Sequence, residues 1–223
     1  MNRLLCNSFG RQLCIIGTGG CARETYSYIK DIFLSQKKDI TDKVVFLDKD
    51  ELVKDGMQIM DCRVIKESGF DRDKYVVVLA IGDSRIREKV FAKYKGCDFA
   101  TVIHPTAMIS EYSKVGNGSI VAPNCVIGPN VEIGDFAHIN IQTNIGHDCR
   151  IKDFFTTAYS VNISGACNIG NTVYFGTNSC IKQGITVCDK VIIGMGASVV
   201  KNITVCGTYI GCPAKLLINK NTP

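Results

Sequence analysis

Histidine and tryptophan are the scarce residues of this chain: three histidines occur among 223 residues, and tryptophan is absent. His104, His138 and His147 are therefore the only imidazoles available for acid–base or metal chemistry. A zinc hydratase would need three imidazoles that converge on one metal ion. These three occupy different positions of the repeat described below, so the sequence indicates no shared metal ring and predicts no metal cofactor.

Long apolar runs and single-sign charge are lacking as well. The N-terminal segment has no sustained apolar stretch, so neither a signal peptide nor a membrane span is indicated. The net charge of +5 is spread along the chain, with 18 basic and 15 acidic residues up to Ile103 and 8 and 6 after it. No basic stripe emerges, which argues against a nucleic-acid partner. We therefore expect a cytoplasmic protein that binds neither nucleic acid nor membrane.

Cysteine, in contrast, is abundant, with twelve residues. A disulfide framework suits short secreted chains in which cysteine spacing dominates the pattern, and here the cysteines are scattered. Cys125, Cys149 and Cys167 fall at repeat positions that otherwise hold small residues. We interpret them as reduced core residues.

An apolar residue recurs at every sixth position from Ile103 to Val205, and only Thr157 breaks the rule. A helix would need a spacing of 3.6 and a simple strand a spacing of 2, so neither fits. A parallel β-helix fits, because three short strands and three turns make one triangular coil in which every sixth residue points inward. The eighteen positions make about six coils. They are Ile103, Ile109, Val115, Val121, Ile127, Ile133, Ile139, Ile145, Ile151, Thr157, Ile163, Ile169, Phe175, Ile181, Val187, Ile193, Val199 and Val205.

Glycine supports the same interpretation. A glycine or another small residue often follows the aliphatic one, as in Ile127-Gly128 and Ile145-Gly146, where we expect the chain to turn. An ordinary β-sandwich would not keep one phase over a hundred residues without an insertion. The sequence therefore predicts an all-β parallel β-helix over residues 103–223.

The residues before the repeat alternate apolar strands with helices. Strands that are apolar throughout imply a small parallel sheet covered on both faces. We therefore predict an α/β, Rossmann-like domain over residues 1–102. The expected elements are strands at 12–16, 44–47 and 75–81 and helices at 22–36 and 84–94.

A glycine turn follows the first of these strands. The segment 17–22, Gly-Thr-Gly-Gly-Cys-Ala, satisfies the dinucleotide pattern G-x-G-x-x-G/A between a strand and a helix. Glycines let backbone N–H groups approach a pyrophosphate, and the helix N-terminus favours its charge. Asp48, at the end of the second strand, could accept hydrogen bonds from a ribose or a base, although a solvated carboxylate fits equally well. The domain has about the size of one mononucleotide-binding half, so a nucleoside diphosphate fits better than a nicotinamide dinucleotide, and a dehydrogenase remains an alternative.

His147 is the best candidate for acid–base chemistry, because Asp148 follows it directly. A neighbouring carboxylate can hold an imidazole in the tautomer that leaves its other nitrogen free as a base, although such pairs also arise by chance. His104 precedes Pro105 where the repeat begins, and we interpret it as a junction residue. His138 stands last in its repeat, and we interpret it as a solvated turn residue.

Several segments together carry a resemblance to a known family. They are 140–149, Gly165, 193–197 and 211–215 in the repeat region, and 17–20, 46–48 and 80–87 before it. In these segments the chain resembles the bacterial left-handed β-helix, or hexapeptide-repeat, nucleotide-sugar acetyltransferases. That family includes the N-acetyltransferases for UDP-bacillosamine precursors, GDP-perosamine and dTDP-4-amino-4,6-dideoxyglucose. The resemblance implies a left-handed coil and a homotrimer with active sites at subunit interfaces.

The same resemblance implies the site residues. His147 is then the general base that takes a proton from a sugar amine attacking acetyl-CoA. Asp148 orients the imidazole, Asn140 lies in the same pocket, and the Gly165 N–H faces the thioester oxygen. Some family members carry a histidine that contacts CoA at the position of Thr156. The other residues expected at CoA are Thr177, Met195, Ala197 and Lys215. The residues expected at the nucleotide sugar are Gly19, Gly20, Cys21, Asp48, Lys49 and Gly82.

We therefore expect an acetyl-CoA-dependent N-acetyltransferase acting on the amine of a nucleotide-linked 4-amino-4,6-dideoxy sugar, by direct transfer. O-acetylation of a sugar of the sialic-acid type is the closest alternative, because His147 could serve a hydroxyl as well. A non-catalytic β-helix scaffold is an alternative of another class, and it predicts no CoA binding. Cys21-Ala22 replaces the His-Gly of some relatives, which leaves the grip on the pyrophosphate open.

Overall fold

The computed structural model describes residues 4–5 and 10–218. The chain divides into two compact units. The N-terminal unit comprises the residues up to Pro105 together with Asn117–Ile120, and the C-terminal unit comprises Thr106–Gly116 and the residues from Val121 on. Within the described residues, no helix is long and apolar enough to cross a membrane.

The N-terminal unit is built on a five-stranded sheet of order β4-β5-β3-β2-β6, in which only β4 runs antiparallel to its neighbour. Two short 3-10 turns, Asp50–Leu52 and Glu67–Gly69, lie in its loops. The elements are β1 (Leu4–Leu5), β2 (Gln12–Ile16), α1 (Gly20–Ser35), β3 (Val44–Asp48), β4 (Gln58–Ile59), β5 (Cys62–Lys66), β6 (Tyr75–Leu79), α2 (Ser84–Lys93) and β7 (Thr101–Ile103).

The three predicted strands and two predicted helices of this unit are present. Strands β2, β3 and β6 are buried along almost their whole length, as a parallel sheet covered on both faces requires. Helix α1 begins at Gly20, two residues before the predicted start, with Gly19 as an N-cap that makes no side-chain cap bond. Helix α2 begins after Asp83, whose carboxylate accepts from the backbone N–H groups of Arg85 and Ile86, each at 2.9 Å. The antiparallel pair of β4 and β5 was not predicted.

Short strands make up the repeat region, and up to Val199 they recur about every six residues. They are β8 (Met108–Ile109), β9 (Lys114–Val115), β10 (Ile120–Val121), β11 (Val126–Ile127), β12 (Glu132–Ile133), β13 (His138–Ile139), β14 (Asn144–Ile145), β15 (Arg150–Ile151), β16 (Thr156–Thr157), β17 (Asn162–Ile163), β18 (Asn168–Ile169), β19 (Tyr174–Phe175), β20 (Cys180–Ile181), β21 (Thr186–Val187), β22 (Val191–Ile193), β23 (Ser198–Val199), β24 (Gly207–Ile210) and β25 (Lys215–Leu216).

Each strand from β8 to β20 is a neighbour of the strand one coil, or 18 residues, further on. Strands β13, β16, β19 and β22 form the first face, which β24 and β25 extend. The second face has the order β23-β20-β17-β14-β11-β8, and the third has the order β21-β18-β15-β12-β9. The six strands of the second face correspond to six coils, so the predicted parallel β-helix is confirmed.

The interior of the β-helix is the predicted apolar ladder. The aliphatic positions from Ile127 to Val199 are buried, with exposures of 4% or less. Cys125, Cys149 and Cys167 are also fully buried and unpaired, which agrees with their interpretation as reduced core residues. Thr157, the polar exception, is fully buried as well.

The corners do not turn at the glycine where we expected the turn. The residue in the left-handed conformation, with φ between 55° and 76°, is not the glycine after the aliphatic residue but the residue three places after it. The glycine directly after the aliphatic residue is required for another reason. A Cβ on Gly146 would lie 2.6 Å from the Gly165 nitrogen of the next coil. Close stacking of coils therefore selects glycine there. The left-handed residues include Asn124, Asn130, Phe136, Gln142, Asp148, Phe154, Ser160, Ala166, Thr172, Asn178, Gly184, Lys190 and Gly196.

Candidate active site

His147 lies at the corner between the second and third faces, which we call the histidine corner (residues 146–148 and, one coil further, 164–166). Its imidazole is 53% exposed, and Nδ1 lies 2.7 Å from the Asp148 carboxylate. The backbone below the ring is fixed, because the His147 carbonyl accepts from the Ala166 N–H at 2.8 Å. The predicted pair therefore forms on an accessible surface.

The Asp148 carboxylate is held on two sides. Besides the imidazole, it accepts from Asn130 Nδ2 at 3.1 Å, and its backbone is in the left-handed conformation. These bonds, that to His147 first, lower the pKa of Asp148 below its ordinary value. A carboxylate that stays ionised accepts the proton of Nδ1, so the tautomer with an unprotonated Nε2 is favoured. The corner thus presents Nε2 as a base.

Gly165 lies directly under that base. A Cβ built on Gly165 would be 2.6 Å from His147 Nε2 and 2.7 Å from Cε1, so only glycine leaves the ring its place. Among the described residues, the Gly165 N–H has no hydrogen-bond acceptor. A base nitrogen and a free backbone donor thus lie side by side, as acyl transfer requires of a base and an oxyanion site.

Asn140 belongs to a different corner, between the first and second faces, which we call the asparagine corner (residues 140–142 with 158–160, 176–178 and 194–196). Its backbone N–H donates to Thr157 Oγ1 at 2.8 Å, and its Oδ1 accepts from the Ile141 N–H at 2.9 Å. Strand β14 on the second face separates Asn140 from His147 along the chain. The structure of one chain therefore does not bring these two predicted residues into one pocket.

The residues predicted to contact CoA divide into accessible and buried ones. Met195 is 78% exposed on the asparagine corner, and Thr177 on the same corner is partly exposed. Lys215 is exposed in β25. Ala197, however, is fully buried and its side chain points into the prism, so only its backbone could contact CoA. Thr156, at 4% exposure in β16 on the first face, is equally poorly placed for a side-chain contact.

The other two histidines have different surroundings. His104 is 7% exposed, and its Nε2 lies 3.1 Å from the Asp31 carboxylate, which agrees with a junction residue. His138 was expected in a solvated turn, but it lies in β13 and is only 6% exposed. Other residues cover the His138 side chain, and the hydrophobic pattern of the repeat does not predict that cover. Among the described residues, no group of three or more His, Cys, Asp or Glu side chains could hold a metal ion.

The glycine turn joins β2 to α1 in the N-terminal unit. Gly17 has a φ of +104°, and a Cβ there would approach the Ala80 carbonyl oxygen to 3.6 Å. Gly19 and Gly20 are exposed at the start of α1. Cys21 is half-buried, and burial raises the pKa of its thiol to about 11, so the thiol stays neutral beside the turn. The turn thus exposes backbone N–H groups at a helix N-terminus, where an anion binds well.

Asp48 ends β3 and Lys49 follows it, at the same edge of the sheet as the glycine turn, because β2 and β3 are parallel neighbours. The Thr18 hydroxyl donates to Asp48 Oδ2, and the Lys49 backbone N–H donates to Oδ1 at 2.9 Å. Asp48 is therefore tied to the glycine turn. Gly82 follows β6, the other neighbour of β2, and its Cβ position lies 3.9 Å from the Cys21 Cβ. The predicted nucleotide-sugar residues thus converge at one edge of the sheet.

Sequence reasoning missed three residues that support these sites: Asn130, Thr18 and Arg87. The spacing of 18 could have found Asn130, since it stands one coil before Asp148. The contacts of Thr18 and Arg87 depend on the fold and have no signal in the sequence pattern. Thr18 reaches Asp48 across neighbouring strands, and the fully buried Arg87 donates from Nη1 to the Ile81 carbonyl at 2.7 Å.

Comparisons with known proteins agree with this description. Residues 12–94 match the PglD N-terminal domain family. The acetyltransferase domain of PglB from Neisseria gonorrhoeae FA1090 is 28% identical, with a TM-score of 0.81, over 93% of this chain and 100% of that one. PerB from Caulobacter crescentus, solved in complex with CoA and GDP-perosamine, is 25% identical, with a TM-score of 0.80, over 92% and 97%. The predicted resemblance to acetyltransferases is confirmed.

Two further findings complete the comparison. WeeI from Acinetobacter baumannii AYE is 25% identical, with a TM-score of 0.71, over 93% of this chain and 100% of that one. A structure of the Neisseria domain in complex with acetyl coenzyme A is similar as well, with a TM-score of 0.82 at 26% identity. The search of curated proteins found no match. The likeness extends over both units of the acetyltransferase fold, so the prediction of the enzyme class is confirmed.

Proposed function

We propose that this protein transfers the acetyl group of acetyl-CoA to the amine of a nucleotide-linked 4-amino-4,6-dideoxy sugar. One observation carries the proposal: at an exposed corner of an acetyltransferase β-helix, an imidazole oriented by a carboxylate lies against the backbone of Gly165. The ligands in the similar structures, acetyl-CoA for the Neisseria domain and GDP-perosamine for PerB, support the substrate classes.

The reaction needs a base, a hydrogen-bond donor for the developing oxyanion and a carboxylate that stabilises the protonated base. The histidine corner supplies all three. The neutral sugar nitrogen attacks the thioester carbonyl, a C–N bond forms, and His147 Nε2 takes the proton from nitrogen. The Gly165 N–H donates to the oxygen on which negative charge develops. The C–S bond then breaks, and the CoA thiolate leaves with a proton from the imidazolium. Asp148 stabilises that imidazolium while it lasts.

The two units divide the substrates in this proposal, with residues 1–102 for the nucleotide sugar and 103–223 for acetyl-CoA. Gly19, Gly20 and the helix α1 N-terminus face the diphosphate, while Asp48 and Lys49 lie where a ribose or base would follow. On the β-helix, the exposed Met195 and Thr177 provide an apolar contact for pantetheine. The residues proposed for the remaining substrate contacts are Cys21 and Gly82 at the sugar nucleotide and Lys215 at the CoA phosphates.

The active site needs a second copy of the chain, because Asn140 and His147 lie on different corners. The second face lies between these corners, and its outward residues carry no charge, whereas the third face carries Lys114, Glu132 and Arg150. An uncharged face suits burial against another copy. Three copies that pack around their second faces close a ring and set the asparagine corner of one beside the histidine corner of the next. The outward residues of the second face are Met108, Val126, Asn144, Asn162, Cys180 and Ser198.

The test is a transfer assay with acetyl-CoA and UDP-, GDP- and dTDP-linked 4-amino-4,6-dideoxy sugars. Product is identified by mass spectrometry rather than by a thiol reagent, because the protein itself carries twelve cysteines. We expect N-acetylated product with one nucleotide series, and a loss of kcat of about 10²- to 10⁴-fold in His147→Ala with CoA binding retained. Gln183→Ala, at the same corner one coil beyond Gly165, is the matched control and should leave kcat unchanged.

Each competing function gives a distinct result in the same experiment. Acetylation of free sialic acid, with no turnover of any nucleotide sugar, would establish the O-acetyltransferase. A failure to bind CoA in a thermal shift assay would indicate a scaffold, and protection by a nicotinamide dinucleotide would indicate a dehydrogenase. Undiminished turnover in His147→Ala would remove His147 from the role of base.

A further inference from the structure

Arg87 is a fully buried charged side chain in the N-terminal unit, and the proposed mechanism makes no use of it. It lies in α2, four residues after the N-cap Asp83. Burial lowers the pKa of its guanidinium to about 10, which leaves it charged at neutral pH. Burying a charge is costly, and an apolar side chain of similar volume would often stabilise the fold as well or better. A role other than packing would therefore explain an arginine here.

The guanidinium contacts the loop between β6 and α2. Nη1 donates to the Ile81 carbonyl at 2.7 Å and to the Gly82 carbonyl at 3.3 Å. One nitrogen thus anchors two successive peptide groups just beyond the end of β6. Since a carbonyl and the following N–H point in opposite directions, holding these oxygens inward turns the following N–H groups away from the helix.

That loop stands beside the glycine turn. Strands β2 and β6 are adjacent and parallel, with Ile16 opposite Leu79, so both loops leave the same edge of the sheet. The Cβ position of Gly82 lies 3.9 Å from the Cβ of Cys21, in the first turn of α1. The electrostatic influence of Arg87 reaches Cys21, where it opposes the rise in the thiol pKa. A positive charge is thus buried directly behind the turn.

We infer that Arg87 is a positioning residue for the diphosphate of the nucleotide sugar: it fixes the 80–83 loop against the glycine turn and adds positive potential behind the α1 N-terminus. This inference rests on the proposed function of the N-terminal unit. A buried cation acts through a medium of low dielectric, so its attraction on a nearby diphosphate is less screened than that of a surface lysine. Arg87 itself does not touch the ligand, because it is fully buried.

The experiment compares ligands that differ only in their phosphates. Affinities for UDP, GDP and dTDP and for the matching nucleosides are measured by calorimetry on wild type, Arg87→Met, Arg87→Lys and the control Lys89→Met. Lys89→Met removes one positive charge from the exposed side of the same helix. We expect Arg87→Met to weaken the tightest nucleoside diphosphate about tenfold or more and to leave the nucleoside unchanged. Lys89→Met should change neither.

Kinetics and the second variant keep the inference falsifiable. In Arg87→Met, KM for the nucleotide sugar should rise while kcat and KM for acetyl-CoA stay near wild type. Arg87→Lys keeps the charge but loses the planar fork of donors, so we expect its affinity for the nucleoside diphosphate to fall about threefold. If Arg87→Met does not fold, Arg87→Lys provides the test. An equal loss for nucleoside and diphosphate, or a diphosphate affinity unchanged in both variants, would overturn the inference.

This outcome can be told apart from failure of the proposed function. If the wild type binds a nucleoside diphosphate and Arg87→Met does not, but no acetyl transfer occurs, the role of Arg87 stands and the proposed reaction fails. If transfer proceeds and the Arg87 variants bind diphosphates normally, the reaction stands and the role of Arg87 fails.

Discussion

The histidine corner and the asparagine corner have the same backbone and different chemistry. In each, the third residue after the aliphatic one is left-handed, Gln142 with φ +59° and Asp148 with φ +58°. In each, that residue donates its N–H to a proline carbonyl one coil earlier, at 3.1 Å and 3.0 Å. One corner exposes an imidazole and a carboxylate, whereas the other exposes an amide, a threonine and a methionine.

The difference shows where a repeat fold can place function. Inward positions must fill the prism, so they vary little in character. Outward corner positions are free of this constraint, and both candidate residues are there: Asn140 is the first residue after an inward aliphatic residue, and His147 is the second. A β-helix can therefore carry its chemistry on corners, and in our proposal two unlike corners form one site where two chains meet.

The most severe test separates the two corners. Asn162→Arg places a charge on the second face, which we propose is buried between copies, and an unpaired buried charge is strongly unfavourable. We expect a monomer by light scattering and a loss of kcat of about a hundredfold or more. The β-helix of the variant should still fold, since Asn162 points outward and its substitution leaves the interior unchanged.

The matched control is Asn168→Arg on the third face, because Asn168 is also an exposed asparagine at the outward position of its strand. That variant should remain assembled and active. An assembled, fully active Asn162→Arg protein would show that the second face is not the interface and that the corners do not cooperate.

A smaller effect is expected when only the charge at the histidine corner is removed. Asp148→Asn should lower kcat about 10- to 100-fold, because the amide can still orient the ring but cannot stabilise the imidazolium. The pKa of Asp148 is lowered in the folded state, so its contribution to stability is present at neutral pH and is lost as the pH falls through the lowered pKa. The melting temperatures of variant and wild type should therefore converge in acid.

Asp189→Asn provides the comparison for this prediction. Asp189 is a corner carboxylate whose pKa is also lowered, by hydrogen bonds from Asn171, and no imidazole is its partner. Its substitution should affect stability and leave kcat unchanged. Equal losses of kcat in both variants would mean that Asp148 serves only the turn.

A still smaller change displaces the base without removing it. In Gly165→Ala the new methyl group would lie 2.6 Å from His147 Nε2, but the exposed ring can rotate away, so the fold should survive. We expect a loss of kcat of about tenfold with unchanged affinity for CoA, measured by steady-state kinetics and calorimetry. An unchanged kcat would show that the position of the ring above Gly165 is not needed.

The sequence predicts the β-helix well because the rule is local and repeated: every sixth residue must fill the prism. It also predicts the His147 and Asp148 pair, since these residues are adjacent in the chain. It misjudges His138, because an outward position in the repeat does not say which other residues cover it. Contacts between distant segments, such as Thr18 with Asp48, depend on strand order and have no signature in the pattern.

Thr157 is the exception within the ladder, and it belongs to the asparagine corner. Its Oγ1 accepts from the Asn140 N–H at 2.8 Å and lies 2.9 Å from Thr143 Oγ1. Thr157→Val fits the six-residue rule and keeps the shape, but it leaves the Asn140 N–H without this acceptor. We expect the free energy of unfolding to fall by about 1–3 kcal/mol, measured by urea denaturation.

The exposed Thr186→Val on the third face is the control, and it should leave stability unchanged because its hydroxyl faces water. A rise in stability in Thr157→Val would mean that the ladder prefers an apolar residue even here, and that the asparagine corner holds its shape without the hydroxyl. A fall in stability together with a raised KM for acetyl-CoA would place the hydroxyl in the support of the corner. In that case the inward residues, which otherwise only fill the prism, would support the asparagine corner and not the histidine corner.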